Sequence, residues 1–220
     1  MITTVIKVGG SQARHDALPD LCTVLGRTAG VHPLLIVPGG GGFADAVREC
    51  AERFPLSNTA AHWMAILAMD QYGLVLADLI PGSRAVRTLS EAEAAVGEGR
   101  VPVLLPHDGL RRTDPLPHSW DVTSDSIAAW VAAQASASRL VLVKDVDGLY
   151  LGNPKTQGAV LMENIDPDQL QGNNGVDRHM AAMLERAAFE TWVVNGRAPE
   201  RVRQLLDHGT TRGTRVARKA

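Results

Sequence analysis

Two glycine-rich turns, each placed directly after a short β-branched run, constrain this chain more than any other feature. The first is Lys7-Val8-Gly9-Gly10-Ser11, ending the apolar run 2–8, and the second is Pro38-Gly39-Gly40-Gly41-Gly42, ending the run 33–37. Glycine lets backbone N–H groups approach a phosphate without interference from a Cβ, and a following helix adds the partial positive charge of its N-terminus. In an α/β sheet the carboxyl ends of the strands are also where ligands bind. A single such turn is equally well read as a tight strand-to-helix connection. Four consecutive glycines are harder to explain that way, because each one costs backbone entropy on folding. Neither turn matches G-x-x-x-x-G-K-[ST] or a dinucleotide fingerprint, so both of those assignments lack their motif.

The turns sit in an alternating pattern. The run 2–8 is followed by helical periodicity over 18–29, and the run 33–37 by helical periodicity over 42–53. Residues 101–105, 140–144 and 191–194 are further apolar runs without polar alternation, as expected of strands covered on both faces. Helix starts are marked by Ser90 with Glu93, by Asp166-Pro167 with Gln169, by Asp177 and by Pro199. The predicted fold is a three-layer αβα sandwich with a mainly parallel central sheet. Residues 106–120, with Pro106, Pro115 and Pro117, read as the longest irregular loop, and the basic end around Arg212, Arg215, Arg218 and Lys219 as a solvated tail.

Composition excludes several classes. At 220 residues the chain suits one large domain or two closely packed lobes. With 45% hydrophobic and 21% charged residues it can bury a core and is neither disordered nor collagenous. A net charge of −2 supplies no basic field for nucleic acid. Cys22 and Cys50 are too few for a disulfide scaffold and form no zinc pattern. The apolar stretch 62–80 is interrupted by Asp70, Gln71 and Asp78, which reads as a buried or amphipathic helix and not a membrane span. No targeting segment is visible at Met1, and a cytoplasmic location is expected.

Of the 22 lysines and arginines, only Lys7, Lys144, Lys155 and Lys219 are lysines, so each marks a place where a compact charge is used instead of a guanidinium fork. Lys7 ends the first run and points toward both glycine turns, either as a salt-bridged side chain or as a charge for phosphate. Asp125, in Trp120-Asp121-Val122-Thr123-Ser124-Asp125-Ser126, opens an apolar helix over 127–135. Capping by Thr123 or Ser124 accounts for part of that cluster, and Asp125 reads as a carboxylate that organises Lys7. Lys144 precedes Asp145-Val146-Asp147-Gly148-Leu149-Tyr150, a turn with two acids, a glycine and an aromatic. It reads either as a second phosphate-facing cation or as an ion-pair partner of Asp145 or Asp147.

Lys7 with Gly9-Gly10-Ser11, then residues 38–42, Thr123-Ser124-Asp125 and residues 145–150, resemble the ordered motifs of the amino acid kinase superfamily, whose members include uridylate, acetylglutamate and isopentenyl phosphate kinases. The resemblance covers nearly the whole chain. His118-Ser119-Trp120, residues 122–126, Val176-Asp177, residues 193–197 and residues 199–202 are similar to the small kinases of methanofuran biosynthesis, which phosphorylate aminomethyl-furanmethanol phosphate to its diphosphate.

The resemblance implies a single amino acid kinase domain over 1–220, with an acceptor-side lobe over 1–138 and a nucleotide-side lobe over 139–220. It implies ATP and Mg²⁺, with no side chain assigned as a metal ligand, a small-molecule phosphate as partner, no nucleic acid or membrane, and a homo-oligomer. Lys7, Asp125 and Lys144 would be catalytic. Gly9, Gly10, Ser11, Asp145, Gly148 and Tyr150 would bind nucleotide, and Gly39, Gly40, Gly41, Gly42, Asp45 and Trp120 the acceptor. The chain also departs from the pattern. Where relatives carry a second lysine in G-M-x-x-K, it reads Gly175-Val176-Asp177-Arg178-His179; Lys144 replaces a threonine, and Asn153-Pro154 replaces an Asp-Pro. Lys144, in preference to His179, is expected to replace the missing charge.

Such an enzyme needs little covalent chemistry, because phosphoryl transfer rests on in-line positioning and charge neutralisation. An acceptor that is already a phosphate brings an ionised nucleophile and needs no general base. An amine on the acceptor would call for a carboxylate and an apolar or aromatic clamp, with Asp45, Asp70, Asp121 and Trp120 as candidates. UMP and an isoprenoid phosphate are the alternative acceptors, and a noncatalytic nucleotide or oxyanion binder is the alternative of another class.

Overall fold

Strands Thr4–Val8 (β1) and Leu34–Pro38 (β2) are buried at every position. Strand Arg139–Lys144 (β5) is buried between its two end residues. Because side chains alternate across a strand, such all-apolar strands need cover on both faces. Val5, Leu35, Leu140 and Leu142 enter one hydrophobic cluster, and Ile6, Ile36, Val141 and Val143 enter another on the opposite face. This division is the physical origin of the three layers. The computed structural model describes residues 1–152, 158–170 and 175–217.

Strands Ser83–Val86 (β3), Val101–Leu104 (β4), Glu190–Asn195 (β9), Thr214–Val216 (β10) and Asn164–Ile165 (β8) complete an eight-stranded sheet of order β3-β4-β2-β1-β5-β9-β10-β8. All neighbours are parallel except β9 and β10, which are antiparallel. Tyr150–Leu151 (β6) and Val160–Leu161 (β7) form a separate antiparallel ribbon. Helices Leu18–Arg27 (α1) and Glu200–His208 (α8) cover the Ile6 face through Leu21, Leu25, Val202 and Leu205. Helices Leu89–Gly97 (α4), Ser124–Gln134 (α6) and Arg178–Leu184 (α7) cover the Val5 face. Helix Asn58–Leu79 (α3) contributes Ile66 and Met69 to one cluster and Tyr72 and Leu76 to the other. No helix among the described residues is long and apolar enough to cross a membrane.

The βαβα opening and the expected strands are present, with helix Gly41–Arg53 (α2) after the second glycine turn. Three local expectations are corrected, at the cap of α4, in residues 106–120 and at the basic end. The cap of α4 is Thr88, not Ser90: Thr88 is extended and its Oγ1 accepts the Glu91 N–H at 3.1 Å, while Ser90 is already helical. The supposed loop 106–120 contains helix His107–Thr113 (α5), because its prolines flank the helix instead of interrupting it. The first glycine turn runs into a 3₁₀ helix, Gly10–Arg14, before α1 begins. The basic end is not a free tail up to residue 217. Arg215 in β10 pairs with Glu190 at 2.8 Å, and Arg212 pairs with Asp147 at 3.1 Å. Arg218 and Lys219 lie outside the described residues, as do Asn153, Pro154 and Lys155.

Candidate active site

The chain leaves β1 toward β2, β4 and β3 on one side, then returns to place β5 on the other. The carboxyl ends of β1 and β5 therefore flank a topological switch point, where neighbouring loops diverge and open a crevice. Lys7 occupies the next-to-last position of β1, in register with Val37 of β2 and Leu142 of β5. Its side chain is 7% exposed, and Nζ lies 2.9 Å from Oδ1 of Asp125, on the first turn of α6. Lys144, the last residue of β5, donates to Oδ2 of the same carboxylate at 2.6 Å.

Burial alone would push the Asp125 carboxyl up, but the two adjacent ammonium groups outweigh it and hold the carboxyl well below the usual range. Burial pulls Lys7 below the ordinary lysine value, against the attraction of Asp125. With all three groups ionised, two cations share one anion. A single surplus positive charge then faces the crevice.

The floor of this crevice is made by the two glycine turns together. A Cβ built on Gly10 would lie 2.0 Å from the Gly41 nitrogen, and one on Gly39 would lie 2.5 Å from the Gly10 nitrogen. The turns thus touch backbone to backbone, a contact that a side chain at either position would break. Gly41 adopts φ +56° at the start of α2, a conformation that L side chains rarely adopt. Helix α2 has no side-chain cap, so its first N–H groups are not spent on its own residues. The start of α6 differs. Asp177 accepts from the Thr123 and Ser126 N–H groups at 3.0 Å each and from both hydroxyls, while also capping α7 through the Met180 N–H at 2.7 Å.

Lys7, Gly10, Ser11, Gly40, Gly41, Asp45, Asp125 and Lys144 line the polar cleft, joined by Arg14, Arg48 and Asp177. Asp45 is held between Arg14 and Arg48, the latter at 2.7 Å. Beyond Gly40, Ala44, Arg48, Thr123 and Ser124 the cleft continues into an apolar compartment walled by Ala61, Ala65, Ile66, Met69, Val122 and Ile127. Trp120, Ser119, Asn58 and His62 stand at its rim. The Arg48 guanidinium lies 5.8 Å from the Trp120 ring centroid.

Other expected site residues lie elsewhere. Gly9 donates its N–H to Val143 at 2.9 Å, and Gly39 donates to Val8 at 2.8 Å, so both brace the strand ends beneath the cleft. Gly42 is exposed, with open space around it. Asp145 accepts from Gln12 Nε2 and lies 3.2 Å from His15 Nε2. Gly148 is buried against Thr214, and Tyr150 belongs to the β6–β7 ribbon; neither lines the cleft.

The alternative reading of Lys144, an ion pair with Asp145 or Asp147, gives way to its bond to Asp125, while Asp147 binds Asn195, Arg201 and Arg212. His179 lies on α7 outside the cleft lining. Asp70 accepts the His107 N–H at 3.1 Å, and neither Asp70 nor Asp121 lines the apolar compartment. Arg14, Arg48 and Asp177 were missed as site residues. The spacing of Ala44 and Arg48, four residues apart from Gly40 onward, is the signal that places Arg48 on the cleft side of α2.

The sequence profile of the amino acid kinase family matches residues 3–195. The chain belongs to this family. It is 34% identical over 204 residues, 92% of each chain, to a [5-(aminomethyl)furan-3-yl]methyl phosphate kinase of Methanocaldococcus jannaschii. It is 25% identical over 231 residues to a uridylate kinase of Methanoculleus marisnigri, covering 96% of this chain and 94% of that one. Among solved structures, the uridylate kinase of Archaeoglobus fulgidus superimposes with a TM-score of 0.77 at 24% identity, over 98% of this chain and 100% of that one. The isopentenyl phosphate kinase of T. acidophilum gives 0.66 at 21%, again over 98% and 100%. As an amino acid kinase family member the chain is a phosphotransferase, and its relatives are kinases of small molecules, among them an aminomethylfuran phosphate.

Proposed function

We propose that this enzyme transfers a phosphoryl group from ATP to the phosphate of aminomethyl-furanmethanol phosphate, giving the diphosphate. The observation that carries this reading is the continuity of the polar cleft with a small apolar compartment, in a chain 34% identical to a kinase of that substrate. A compact furan ring fits walls of alanine, isoleucine, methionine and valine, whereas a uridine would bury polar base and ribose groups against them. Among the described residues its lining holds no carboxylate, so the ring alone enters the compartment while the ammonium group stays hydrated at the rim beside Trp120.

The cleft suits polyphosphate. Its floor is backbone that a Cβ would fill, α2 presents uncapped N–H groups, and the Lys7–Asp125–Lys144 triad carries a surplus positive charge. Mg-ATP supplies the phosphoryl group, and its metal neutralises part of the phosphate charge. Lys7 and Lys144, fixed by Asp125, oppose the charge that develops on the transferring group. Gly10, Ser11, Gly40 and Gly41 orient phosphates through the backbone, and Arg48 holds the acceptor phosphate. Elements before residue 139 hold the acceptor and, through Gly10 and Ser11, part of the nucleotide's phosphates, while elements from 139 onward hold the rest of the nucleotide, although one sheet runs through both. The enzyme acts in the cytoplasm and as a homo-oligomer, and exposed Leu67, Leu74, Val75 and Leu79 on α3 support the second of these.

Acceptor-dependent ADP release tests this reading. Turnover with the aminomethylated furan phosphate should greatly exceed that with UMP or isopentenyl phosphate. Equal or better turnover of UMP removes the acceptor assignment, and no ATP turnover with any small phosphate favours a noncatalytic binder.

A further inference from the structure

The segment His118-Ser119-Trp120 reaches the apolar compartment only through its last two residues; His118 points to a different cluster. We propose that His62, Asp114 and His118 bind one divalent transition-metal ion, Zn²⁺, which fastens the loop carrying Ser119 and Trp120 to the start of α3. The three residues come from separate elements: His62 from the second turn of α3, Asp114 from the residue that ends α5, and His118 from the loop beyond it. Their potential ligand atoms all lie within 4.8 Å of one another. Two imidazoles and a carboxylate form an N/O donor set suited to zinc, with the fourth tetrahedral position left for water.

The surroundings match a metal site in a second respect. His118 Nε2 lies 2.9 Å from Asp114 Oδ1, and its other nitrogen, Nδ1, lies 2.9 Å from the Thr59 hydroxyl. An outer partner on the second nitrogen is the usual device for fixing the orientation of a metal-binding histidine. His62 stacks on His118 with ring centroids 4.4 Å apart. The nearby cation Arg111 is engaged over Trp63, 4.6 Å from the ring centroid. A half-exposed Asp114–His118 ion pair on its own would contribute little. It also gives no reason for a second imidazole to stack beside it.

His62, Ser119 and Trp120 all border the apolar compartment, so occupancy would set the position of the acceptor wall. That consequence rests on the acceptor reading above, whereas metal binding does not. The test uses tag-free full-length protein stripped with a chelator and titrated with Zn²⁺ by calorimetry, with Co²⁺ as a visible-absorption probe. One equivalent should bind, with tetrahedral Co²⁺ bands. Asp114→Asn, which tolerates the left-handed backbone at that position, should weaken binding at least tenfold, and His62→Gln should abolish the bands in a protein whose circular dichroism is unchanged. Uptake by wild type no greater than by His62→Gln overturns the site. In kinetic assays, metal removal should raise KM for the acceptor severalfold while leaving that for ATP unchanged. Metal uptake without that shift overturns the fastening role, whereas the calorimetric result stands or falls independently of the acceptor reading.

Discussion

Lys144 at the end of β5 donates a 2.6 Å hydrogen bond to Asp125, the same buried carboxylate that holds Lys7 at the end of the neighbouring strand. Two ammonium groups from neighbouring strands thus share one anion, which offsets their mutual repulsion. The arrangement directs one surplus positive charge at the crevice and fixes its position through two adjacent strands.

Lys7→Ala should lower kcat by about a hundredfold or more, the loss expected when a major electrostatic contributor to the transition state is removed. Binding of ATP should weaken less, because the glycine floor and the N-terminus of α2 remain. Steady-state kinetics together with nucleotide titration separates the two effects, and near-normal kcat in folded protein would remove Lys7 from the mechanism.

Lys144→Met should reduce turnover more than His179→Gln. Lys144 lines the cleft and His179 does not. The pH profile of kcat should accordingly show no histidine titration between about 6 and 7.5. Loss of activity in His179→Gln with a benign Lys144→Met would reverse the assignment.

Asp125 links the site to acid stability. Its carboxyl is held below its unfolded value, so its stabilising contribution is complete above about pH 4 and is lost as pH falls through the lower folded value. Chemical denaturation at several pH values should show Asp125→Asn less stable than wild type at pH 7 by about 3 kcal/mol, since buried Lys7 and half-buried Lys144 lose their anion. Below pH 4 the difference should shrink, because the unfolded wild type takes up a proton that folded Asp125 resists, which favours unfolding. A gap independent of pH would show that Asp125 acts by packing alone.

Gly10→Ala and Gly42→Ala should diverge in thermal unfolding. The new methyl at position 10 would meet the Gly41 nitrogen at 2.0 Å, forcing the two turns apart, and should lower Tm by several degrees. At position 42 the methyl meets nothing within 4 Å on an exposed helical turn, and alanine should stabilise α2 by up to about 1 kcal/mol. Equal melting temperatures would mean that the turns are not in contact.

By itself, the sequence determined the layered α/β class and the central parallel strands, and it singled out Lys7, Asp125, Lys144 and the two glycine turns, of which Lys7, Gly10, Gly40, Gly41, Asp125 and Lys144 line one cleft. These depend on local patterns: unbroken apolar runs demand cover on both faces, and glycine clusters after strands are costly without a close approach. The short strands β3, β6, β7, β8 and β10 left no such pattern. They owe their conformation to pairing with neighbours, as Thr214–Val216 does to β9. Helix α5 was hidden because its flanking prolines read as loop composition.

Only the tertiary structure decided which charge meets which. Lys144 stands beside Asp145 in sequence yet bonds to Asp125, because the strand directs alternate side chains to opposite faces and α6 packs its first turn over one of them. The same holds for Asp177, which is 54 residues from Thr123 but caps the helix that Thr123 begins. It holds too for His62 and His118, brought into stacking contact by α3 and the loop after α5. Sequence patterns report burial and local conformation, which neighbouring residues largely set. Pairing of buried charges depends on how separate elements pack, and no local spacing encodes it.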